Sequence, residues 1–165
     1  MVLCLAFTGC ARDEKTSKDD KKDALAILNA DDEMIYSLKE KTQAKVLSFS
    51  LENDKADFGI SDLDLSTGKG KFIFNINRDI KLKGFTIKKS NFKVELGSVG
   101  YSSVMNSVVA IIVALCLNIE KEIITDALKN FKGVERRFEL IFDEDFKILD
   151  DDKDKKYIFL AEKIL

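Results

Sequence analysis

The sequence predicts a mixed α/β fold, and three patterns support this prediction. Two short apolar runs flank a helical stretch near the start, three later segments alternate apolar and polar residues, and a long apolar helix follows. The first pattern is typical of a parallel β-α-β unit, and the second of a small antiparallel sheet with one solvent-exposed face. We therefore predict a parallel β-α-β tail, a small antiparallel sheet and two packed helices, followed by a β-hairpin.

The β-α-β tail is predicted from residues 24–50. Ala24 to Leu28 is an apolar run that predicts a strand, and Asp31 or Asp32 is expected to cap the following helix. The helix is predicted from Glu33 to Gln43, and a second buried strand from Ala44 to Ser50. The helical residues expected to face the core are Met34, Ile35 and Leu38.

The antiparallel sheet is predicted from period-two alternation between residues 56 and 96. Gly68 and Gly70 are expected in its first turn, and Gly84 lies between the second and third alternating runs. The side chains expected on its buried face are Ile60, Leu63, Leu65, Phe72, Phe74, Ile76, Phe92, Val94 and Leu96.

Two helices and a hairpin are predicted in the rest of the chain. Ser102 to Asn118 is apolar on most sides and predicts a buried helix, while Glu120 to Asn130 predicts an amphipathic one. Arg137 to Leu149 alternates again and predicts a hairpin, and Tyr157 to Leu165 predicts a short helix or strand. The inward side chains expected in the second helix are Ile123, Ile124, Ala127 and Leu128.

Composition limits the chemistry available to this chain. Its 165 residues are 45% hydrophobic and 34% charged, which suits one soluble domain, or one domain with part of another. The net charge of −2, taken over the whole chain, makes no electrostatic case for nucleic acid or an anionic membrane surface. With no histidine, any reaction would depend on carboxylates, lysine, arginine and bound ions.

The three cysteines show no zinc or redox spacing, and Cys116 is expected to be a buried core thiol. Met1 to Cys10 supports two interpretations. The apolar run ending in Thr8-Gly9-Cys10 is similar to a lipoprotein leader, with residues 11–23 as a charged tether, although the basic start of a secretory signal is missing. We therefore assign residues 1–23 to a leader or charged linker. The second interpretation depends on the family resemblance described below.

Four segments could carry chemistry. Asn29 to Asp32 (NADD) suits a turn that starts a helix, and Gly100 to Asn106 (GYSSVMN) opens a helix whose N-terminus favours anions. Phe131 to Glu139 (FKGVERRFE) contains two arginines, whose guanidinium groups fork onto phosphate oxygens. Phe146 to Lys153 (FKILDDDK) ends an apolar run in carboxylates. The simpler interpretations are a capped turn, a surface arginine pair neutralised by nearby glutamates, and a solvated acidic loop.

In this order the four segments resemble the end of the central ATPase domain of the Mur ligases, ATP-dependent enzymes that add amino acids to peptidoglycan precursors. The resemblance matches Asn106 to the last residue of a G-x-H/F-N-V-x-N motif, and Arg137 to an arginine facing the ATP phosphates. Asp151 matches an acidic residue at the end of a strand. Ser102 and Ser103 depart from the motif, because a hydroxyl lacks the reach of the amide. A serine could still cap the helix.

The segment Phe7 to Asp13 (FTGCARD) is similar to a Mur ligase segment that precedes a DHLD-type motif, which gives the second interpretation of the N-terminus. Together with the Gly-Val-x-x-Arg-Phe-Glu pattern from Gly133, it favours the UDP-N-acetylmuramoyl-tripeptide synthetase type. The Arg136-Arg137 pair favours the L-alanine ligase, and Asp151-Asp152-Lys153 the D-glutamate ligase.

Several family features are missing from this sequence. It contains no G-x-x-x-x-G-K-[ST] loop, and Ser66 to Lys71 has similar residues in the wrong order for one. We therefore expect that segment to form a turn between strands. The lysine-bearing segment that bridges metal and substrate, and nearly all of the C-terminal domain, are also missing. The resemblance thus implies part of a central domain over residues 24–132 and the start of a truncated C-terminal domain over residues 133–165.

The resemblance implies a remnant or fragment of a ligase that joins a UDP-MurNAc-peptide carboxylate to an amino acid through an acyl phosphate. It implies ATP and Mg²⁺ as cofactors, a cytoplasmic location and no nucleic-acid partner. Without the phosphate loop we expect no turnover by the chain alone, and a separately encoded N-terminal half could complete it. The alternative is a non-enzymatic envelope lipoprotein acylated at Cys10, which is the only way in which we expect membrane attachment.

Overall fold

The computed structural model describes the backbone of residues 2–5, 24–52, 55–133, 137–143, 147–151 and 156–160, and the side chains of residues 24–52 and 55–133. The strands are β1 (Val2–Leu5), β2 (Leu25–Asn29), β3 (Lys45–Ser50), β4 (Phe58–Asp64), β5 (Lys69–Ile76), β6 (Ile80–Leu82), β7 (Phe85–Ile87), β8 (Ser90–Val99), β9 (Arg137–Asp143), β10 (Lys147–Asp151) and β11 (Lys156–Leu160). The helices are α1 (Glu33–Ser37), a 3₁₀-helix (Leu38–Glu40), α2 (Tyr101–Cys116) and α3 (Lys121–Asn130).

The strands form a mixed sheet in the order β1-β2-β3-β4-β5-β8, a sheet in the order β11-β10-β9 and the hairpin β6-β7. Strand β2 is parallel to β3 and β3 is parallel to β4, whereas β1 is antiparallel to β2. The predicted fold class, α/β with a parallel β-α-β unit and antiparallel strands, is confirmed. The chain divides into two compact units: Met1–Ser61 with Asn75–Asn91, and Asp62–Phe74 with Phe92–Leu165.

The first unit contains the predicted β-α-β unit. Residues 25–28 of β2 are all buried, as expected of a parallel strand covered on both faces. The helix between the strands is shorter than predicted, because α1 tightens into the 3₁₀-helix after Ser37. The expected inward position of Met34 is wrong: its side chain is 81% exposed. A helix of little more than one turn cannot present the long apolar face that the 3.6-residue period assumes.

The hairpin β6-β7 is an element that the sequence analysis did not predict. Its register pairs Ile80 with Ile87 and Leu82 with Phe85, and both isoleucines are buried. Gly84 has a φ of 92° in the turn, a conformation that glycine adopts without steric cost. The runs on either side are only three residues long, which is too short for period-two alternation to reveal them.

The alternation in the second unit is largely confirmed. Phe72, Phe74, Val94 and Leu96 are buried. Leu63 is an exception at 37% exposed, because Asp62 has a φ of 53° and interrupts the regular strand geometry of β4. Leu65 and Phe92 are half-buried, and so is Ile60 of the first unit.

Gly70 lies within β5 rather than in the turn where it was expected. A Cβ atom on it would lie 2.8 Å from Cγ2 of Val104, so glycine lets helix α2 approach the strand closely. Helix α2 is buried over much of its surface, as predicted, and Cys116 is a buried thiol.

Helix α3 packs along a different line from the predicted one. Ile124 is buried and Leu128 is half-buried, but Ile123 is 58% exposed and Ala127 is exposed, so the predicted inward positions of Ile123 and Ala127 are wrong. Lys121 lies over the Phe92 ring at 5.4 Å. The packed positions 121, 124 and 128 are therefore spaced by three and four residues on one side of the helix.

The predicted hairpin after Arg137 is confirmed as β9 and β10. For the last segment, left open as helix or strand, β11 is a strand as far as Leu160, and residues 161–165 lie outside the described residues. At the other end, Val2 to Leu5 pairs with β2. Cys10 and the rest of 6–23 lie outside the described residues, so the leader and linker hypotheses stay predictions, as do the domain boundaries at 24–132 and 133–165. Within the described ranges, no helix is long and apolar enough to cross a membrane.

Candidate functional site

The turn after β2 uses its polar side chains to hold itself together. The side chain of Asn29 accepts a hydrogen bond from the backbone N–H of Asp31 at 3.0 Å. Asp31 in turn accepts hydrogen bonds from the Ser50 hydroxyl and from the backbone N–H of Leu51, the latter at 2.8 Å. The Asp31 carboxylate therefore ties the carboxyl end of β2 to the carboxyl end of β3.

Asp32 caps helix α1, which confirms the second of the two residues expected there. Its Oδ1 accepts a hydrogen bond from the backbone N–H of Ile35 at 3.0 Å. Asn29, Asp31 and Asp32 are thus all engaged by nearby backbone groups. The simpler interpretation of this segment, a capped strand-helix turn, is confirmed.

The start of α2 is shaped by Gly100. Its φ of 88° and ψ of 158° are accessible to glycine alone, and its N–H donates to the carbonyl of Gly68 at 2.9 Å. A Cβ atom built on Gly100 would have no neighbour within 4 Å, so the space beside this helix N-terminus is open. This opening fits the close approach of an anionic group, which a helix N-terminus favours.

The serines at this helix start do not cap it. The N-cap residue is Gly100, which has no side chain to accept a hydrogen bond. The Ser103 hydroxyl donates to the carbonyl of Val99 at 2.6 Å. The possibility that a serine caps the helix is not realised, because the Ser103 hydroxyl satisfies a strand carbonyl instead. Asn106 lies further along α2 and is exposed. Its amide is oriented by no hydrogen bond within residues 24–52 and 55–133.

Arg137 and Asp151 are brought together by strand pairing. Arg137 begins β9, Asp151 ends β10, and the two are direct partners in the antiparallel register. The register shifts between Asp150 and Asp151, because Asp150 pairs with Glu139 and the register passes over Phe138. Such irregularities redirect side chains and are common beside functional sites. The pairing links two of the three predicted site residues to each other and links neither to Asn106.

The segment Ser66 to Lys71 forms the turn expected between β4 and β5. The N–H of Gly68 donates to the carbonyl of Leu65 at 2.8 Å, and the N–H of Ser66 donates to Oδ1 of Asp64 at 2.8 Å. The hydrogen bonds from Ser66 lower the pKa of the Asp64 carboxyl below its ordinary value. These contacts explain the glycine and serine content without a bound phosphate.

The carboxylate of Asp57 is buried, at 5% exposed, and was not predicted from the sequence. It accepts hydrogen bonds from the N–H of Ser48 at 2.9 Å and the Ser48 hydroxyl at 3.3 Å, and it pairs with the Arg78 guanidinium. The hydrogen bond to Asp57 and its charge raise the pKa of Arg78. The one available signal was an aspartate directly before the apolar start of β4.

Metal-binding chemistry is not prominent in the described parts of the chain. Among residues 24–52 and 55–133, no group of three or more cysteine and carboxylate side chains is arranged to hold an ion. The buried Asp57 carboxylate is satisfied by Ser48 and Arg78, so it belongs to the structural framework rather than to a metal site.

Comparison with known proteins identifies the family. The family described as Mur ligase middle domain matches residues 15–114. A UDP-N-acetylmuramate--L-alanine ligase from Hydrogenobaculum sp. is 27% identical over 127 residues, which cover 77% of this chain and 26% of that protein. The same-named ligase from Pelagibacter ubique is 35% identical over 126 residues, covering 75% and 23%.

The fold agrees with this assignment. The crystal structure of MurF ligase from Thermotoga maritima in complex with ADP superposes with a TM-score of 0.58 at 22% sequence identity, covering 79% of this chain and 27% of that one. This chain therefore spans about a quarter of the length of the relatives it matches. The matched residues and the shared fold show that the chain belongs to the Mur ligase family, through the middle domain of those enzymes.

Proposed function

We propose that this chain forms the nucleotide-facing part of a Mur ligase, which joins the carboxylate of UDP-MurNAc to an amino acid. The observation that carries the proposal is the register of β9 and β10, which places Arg137 opposite Asp151 in a chain of this family. The ADP in the Thermotoga maritima MurF structure supports a nucleotide as the ligand.

Each proposed site residue has a chemical task that suits it. Arg137 holds phosphate oxygens, because a guanidinium stays charged and donates two parallel hydrogen bonds. Asp151 accepts hydrogen bonds from sugar hydroxyls, because an ionised carboxylate only accepts hydrogen bonds and is repelled by the phosphate oxygens of the same nucleotide. Asn106 has an exposed amide that can both donate to and accept from a base or a metal-bound water.

ATP with Mg²⁺, when bound, supplies the phosphoryl group that turns the substrate carboxylate into an acyl phosphate. The contribution of this chain is electrostatic: the Arg137 charge neutralises phosphate oxygens, and the open helix start at Gly100 offers backbone N–H groups. Displacement of phosphate by the amino group of the amino acid then forms the amide bond.

We propose that a part of the ligase outside these 165 residues provides the phosphate-cradling loop. The sequence contains no G-x-x-x-x-G-K-[ST] motif, and the chain corresponds to about a quarter of its relatives. The amino acid proposed is L-alanine, because both relatives above are L-alanine ligases by name and the Arg136-Arg137 pair fits that type. This choice replaces the tripeptide synthetase type favoured by residues 7–13 and 133–139.

Equilibrium binding of ADP to purified variants tests the nucleotide site. Arg137→Ala is expected to weaken binding about tenfold or more, because a charge-assisted bond to phosphate is lost. Arg136→Ala is the matched control, since it removes the same charge at the adjacent position. Equal losses in the two variants would show that only general charge matters, and absence of binding by the unmodified chain would overturn the proposal.

Phosphate release tests the proposed reaction. We expect none from the chain alone with Mg·ATP, UDP-MurNAc and L-alanine. Adding a polypeptide that carries the missing phosphate loop is expected to restore release that depends on L-alanine. Release by these residues alone would contradict the proposal that the phosphate-cradling loop lies outside them, and release that depends on a different amino acid would contradict the choice of L-alanine.

A further inference from the structure

The hairpin segment Asn75–Asn91 concentrates positive charge in a chain whose net charge is negative. It contains five basic residues and one acidic residue, a local net charge of +4 against −2 for all 165 residues. The basic residues are Arg78, Lys81, Lys83, Lys88 and Lys89, and all five are exposed. A charge taken over the whole chain therefore conceals a strongly basic element.

The hairpin separates apolar from basic side chains across its two faces. Ile80 pairs with Ile87 and Leu82 with Phe85, and this face is turned inward, with both isoleucines buried. Side chains alternate between faces along a strand, so Lys81 of β6 lies on the opposite, outward side. Lys83, in the turn, and Lys88, directly after β7, are also exposed. We call these three lysines, together with the exposed Lys45 and Lys89 beside them, the basic face.

The basic face lies away from the turn that follows β2. Lys45 begins β3, and its ammonium donates a hydrogen bond to the carbonyl of Lys81. Asn29 and Asp31 lie at the other, carboxyl ends of β2 and β3. The hairpin is thus attached at the amino-terminal end of β3, and the ligand-binding edge of a parallel sheet is the carboxyl end. The basic face is consequently a second surface within this unit.

Asp79 is the one acidic residue in the hairpin segment, and it does not cancel the charge. Its carboxylate accepts hydrogen bonds from the Lys88 ammonium at 2.8 Å and from the N–H of Lys89 at 2.8 Å. The Lys88 side chain remains 74% exposed despite this pair. The buried carboxylate of Asp57 is paired with Arg78. The positive charge of the basic face is therefore that of its lysines.

We propose that the basic face docks this protein on an anionic lipid bilayer. Lysines near a membrane respond to its negative surface potential, each adding favourable energy without a fixed partner. Nucleic acid is a poorer fit, because base recognition and phosphate clamping use arginine forks and exposed aromatic rings. The hairpin directs its aromatic residue, Phe85, to the inward face and its arginine to Asp57.

The proposal does not depend on the nucleotide site and would stand if that site failed. An acidic protein partner is also less suited to the basic face, since isolated ion pairs between exposed side chains contribute little unless their geometry is fixed. A membrane surface imposes no such geometric requirement, because its potential acts on every lysine within a Debye length.

Sedimentation with lipid vesicles tests the proposal, using phosphatidylcholine vesicles with and without phosphatidylglycerol. The triple variant Lys81→Gln, Lys83→Gln, Lys88→Gln should bind the anionic vesicles about 100-fold more weakly, at about fivefold for each lysine. The control variant Lys41→Gln, Lys93→Gln, Lys132→Gln removes the same charge from exposed positions elsewhere and should bind nearly as the unmodified protein does. Thermal unfolding of both variants verifies that they are folded.

A gain of binding is also expected. Asp79→Asn removes the one negative charge of the hairpin segment and should strengthen binding to anionic vesicles about fivefold. The proposal is overturned if the unmodified protein ignores phosphatidylglycerol, if the two triple variants lose binding equally, or if an RNA oligomer binds through the same lysines more tightly than the vesicles do.

Discussion

The two units of this protein stabilise their strands by different physical means. In the first, β3 is held by a buried carboxylate, because Asp57 accepts a hydrogen bond from the N–H of Ser48. In the second, α2 and α3 pack against apolar strand faces, with Gly70 and Gly97 allowing close approach. A polar contact of the first kind is sensitive to loss of one partner, whereas an apolar core is sensitive to volume.

The difference also explains which substitutions each unit should tolerate. Arg78 is 66% exposed in its side chain, so water can solvate it if Asp57 is removed, while the Ser48 N–H has no such access. In the second unit the central side chains of α2 are fully buried, and removal of their atoms leaves a cavity.

The largest loss of stability is expected from Ile111→Ala in α2. Ile111 is 0% exposed, so the variant loses buried methyl and methylene groups and leaves a cavity. We expect the free energy of unfolding to fall by about 4 kcal/mol, measured by urea denaturation. Ile123→Ala in α3 is the control, because Ile123 is 58% exposed and should cost less than about 0.5 kcal/mol. Similar losses for both would contradict the assigned core.

A smaller but still large loss is expected from Asp57→Ala in the first unit. The substitution leaves the buried N–H of Ser48 without its acceptor, so the free energy of unfolding should fall by about 2–3 kcal/mol. The partner substitution Arg78→Ala should cost less than about 1 kcal/mol, because the guanidinium is largely solvated. If Arg78→Ala were the more damaging variant, the ion pair rather than the buried hydrogen bond would hold β3.

Two glycines, one in each unit, give a test of close packing. A Cβ atom on Gly97 would lie 2.3 Å from the carbonyl oxygen of Lys129 and 2.8 Å from that of Phe131. Gly97→Ala should therefore displace the end of α3 and cost about 2 kcal/mol. Gly59→Ala should change stability by less than about 1 kcal/mol, since its nearest contacts would be 3.5 Å and 3.6 Å away. Equal effects would contradict the packing of α3 on β8.

The smallest effect is a pH dependence in the hairpin segment. The hydrogen bonds from Lys88 and from the N–H of Lys89 lower the pKa of Asp79 below its ordinary value of 3.8. A lowered folded-state pKa means that the stabilisation is present above the ordinary value and is lost as the pH falls through the folded-state pKa. Asp79→Asn should remove this acid sensitivity. The free energy of unfolding is measured by urea denaturation at several pH values below 5. If it falls equally with decreasing pH in both proteins, the assignment to Asp79 is contradicted.

Much of the fold could be predicted from the sequence because the strands and helices are locally consistent. Residues 25–28 and 45–50 form short apolar runs, and Phe72 to Ile76 alternates, so their strands follow from period and length. The hairpin β6-β7 could not be predicted, since each strand has three residues. The side of α3 that packs inward was also predicted wrongly, because the tertiary contacts of Gly97 and Lys121 determine it.

The candidate site was only partly predictable. Family resemblance singled out Asn106, Arg137 and Asp151, but the sequence alone does not show that the last two are register partners, which depends on two irregularities in the pairing of β9 and β10. The roles of Asn29, Asp31 and Asp32 in a capped turn followed from their side-chain chemistry. The burial of Asp57 could not be predicted, because its partners Ser48 and Arg78 are distant in sequence.

The most direct test of the nucleotide-facing role is thermal unfolding of the purified chain with and without excess Mg·ATP. At about one hundred times its dissociation constant, a ligand that binds only the folded state stabilises it by about 2.7 kcal/mol. We predict a cooperative transition whose midpoint rises with Mg·ATP, and a smaller rise in Arg137→Ala than in Arg136→Ala. A cooperative transition with the same midpoint in the presence and absence of Mg·ATP would contradict the proposed nucleotide site.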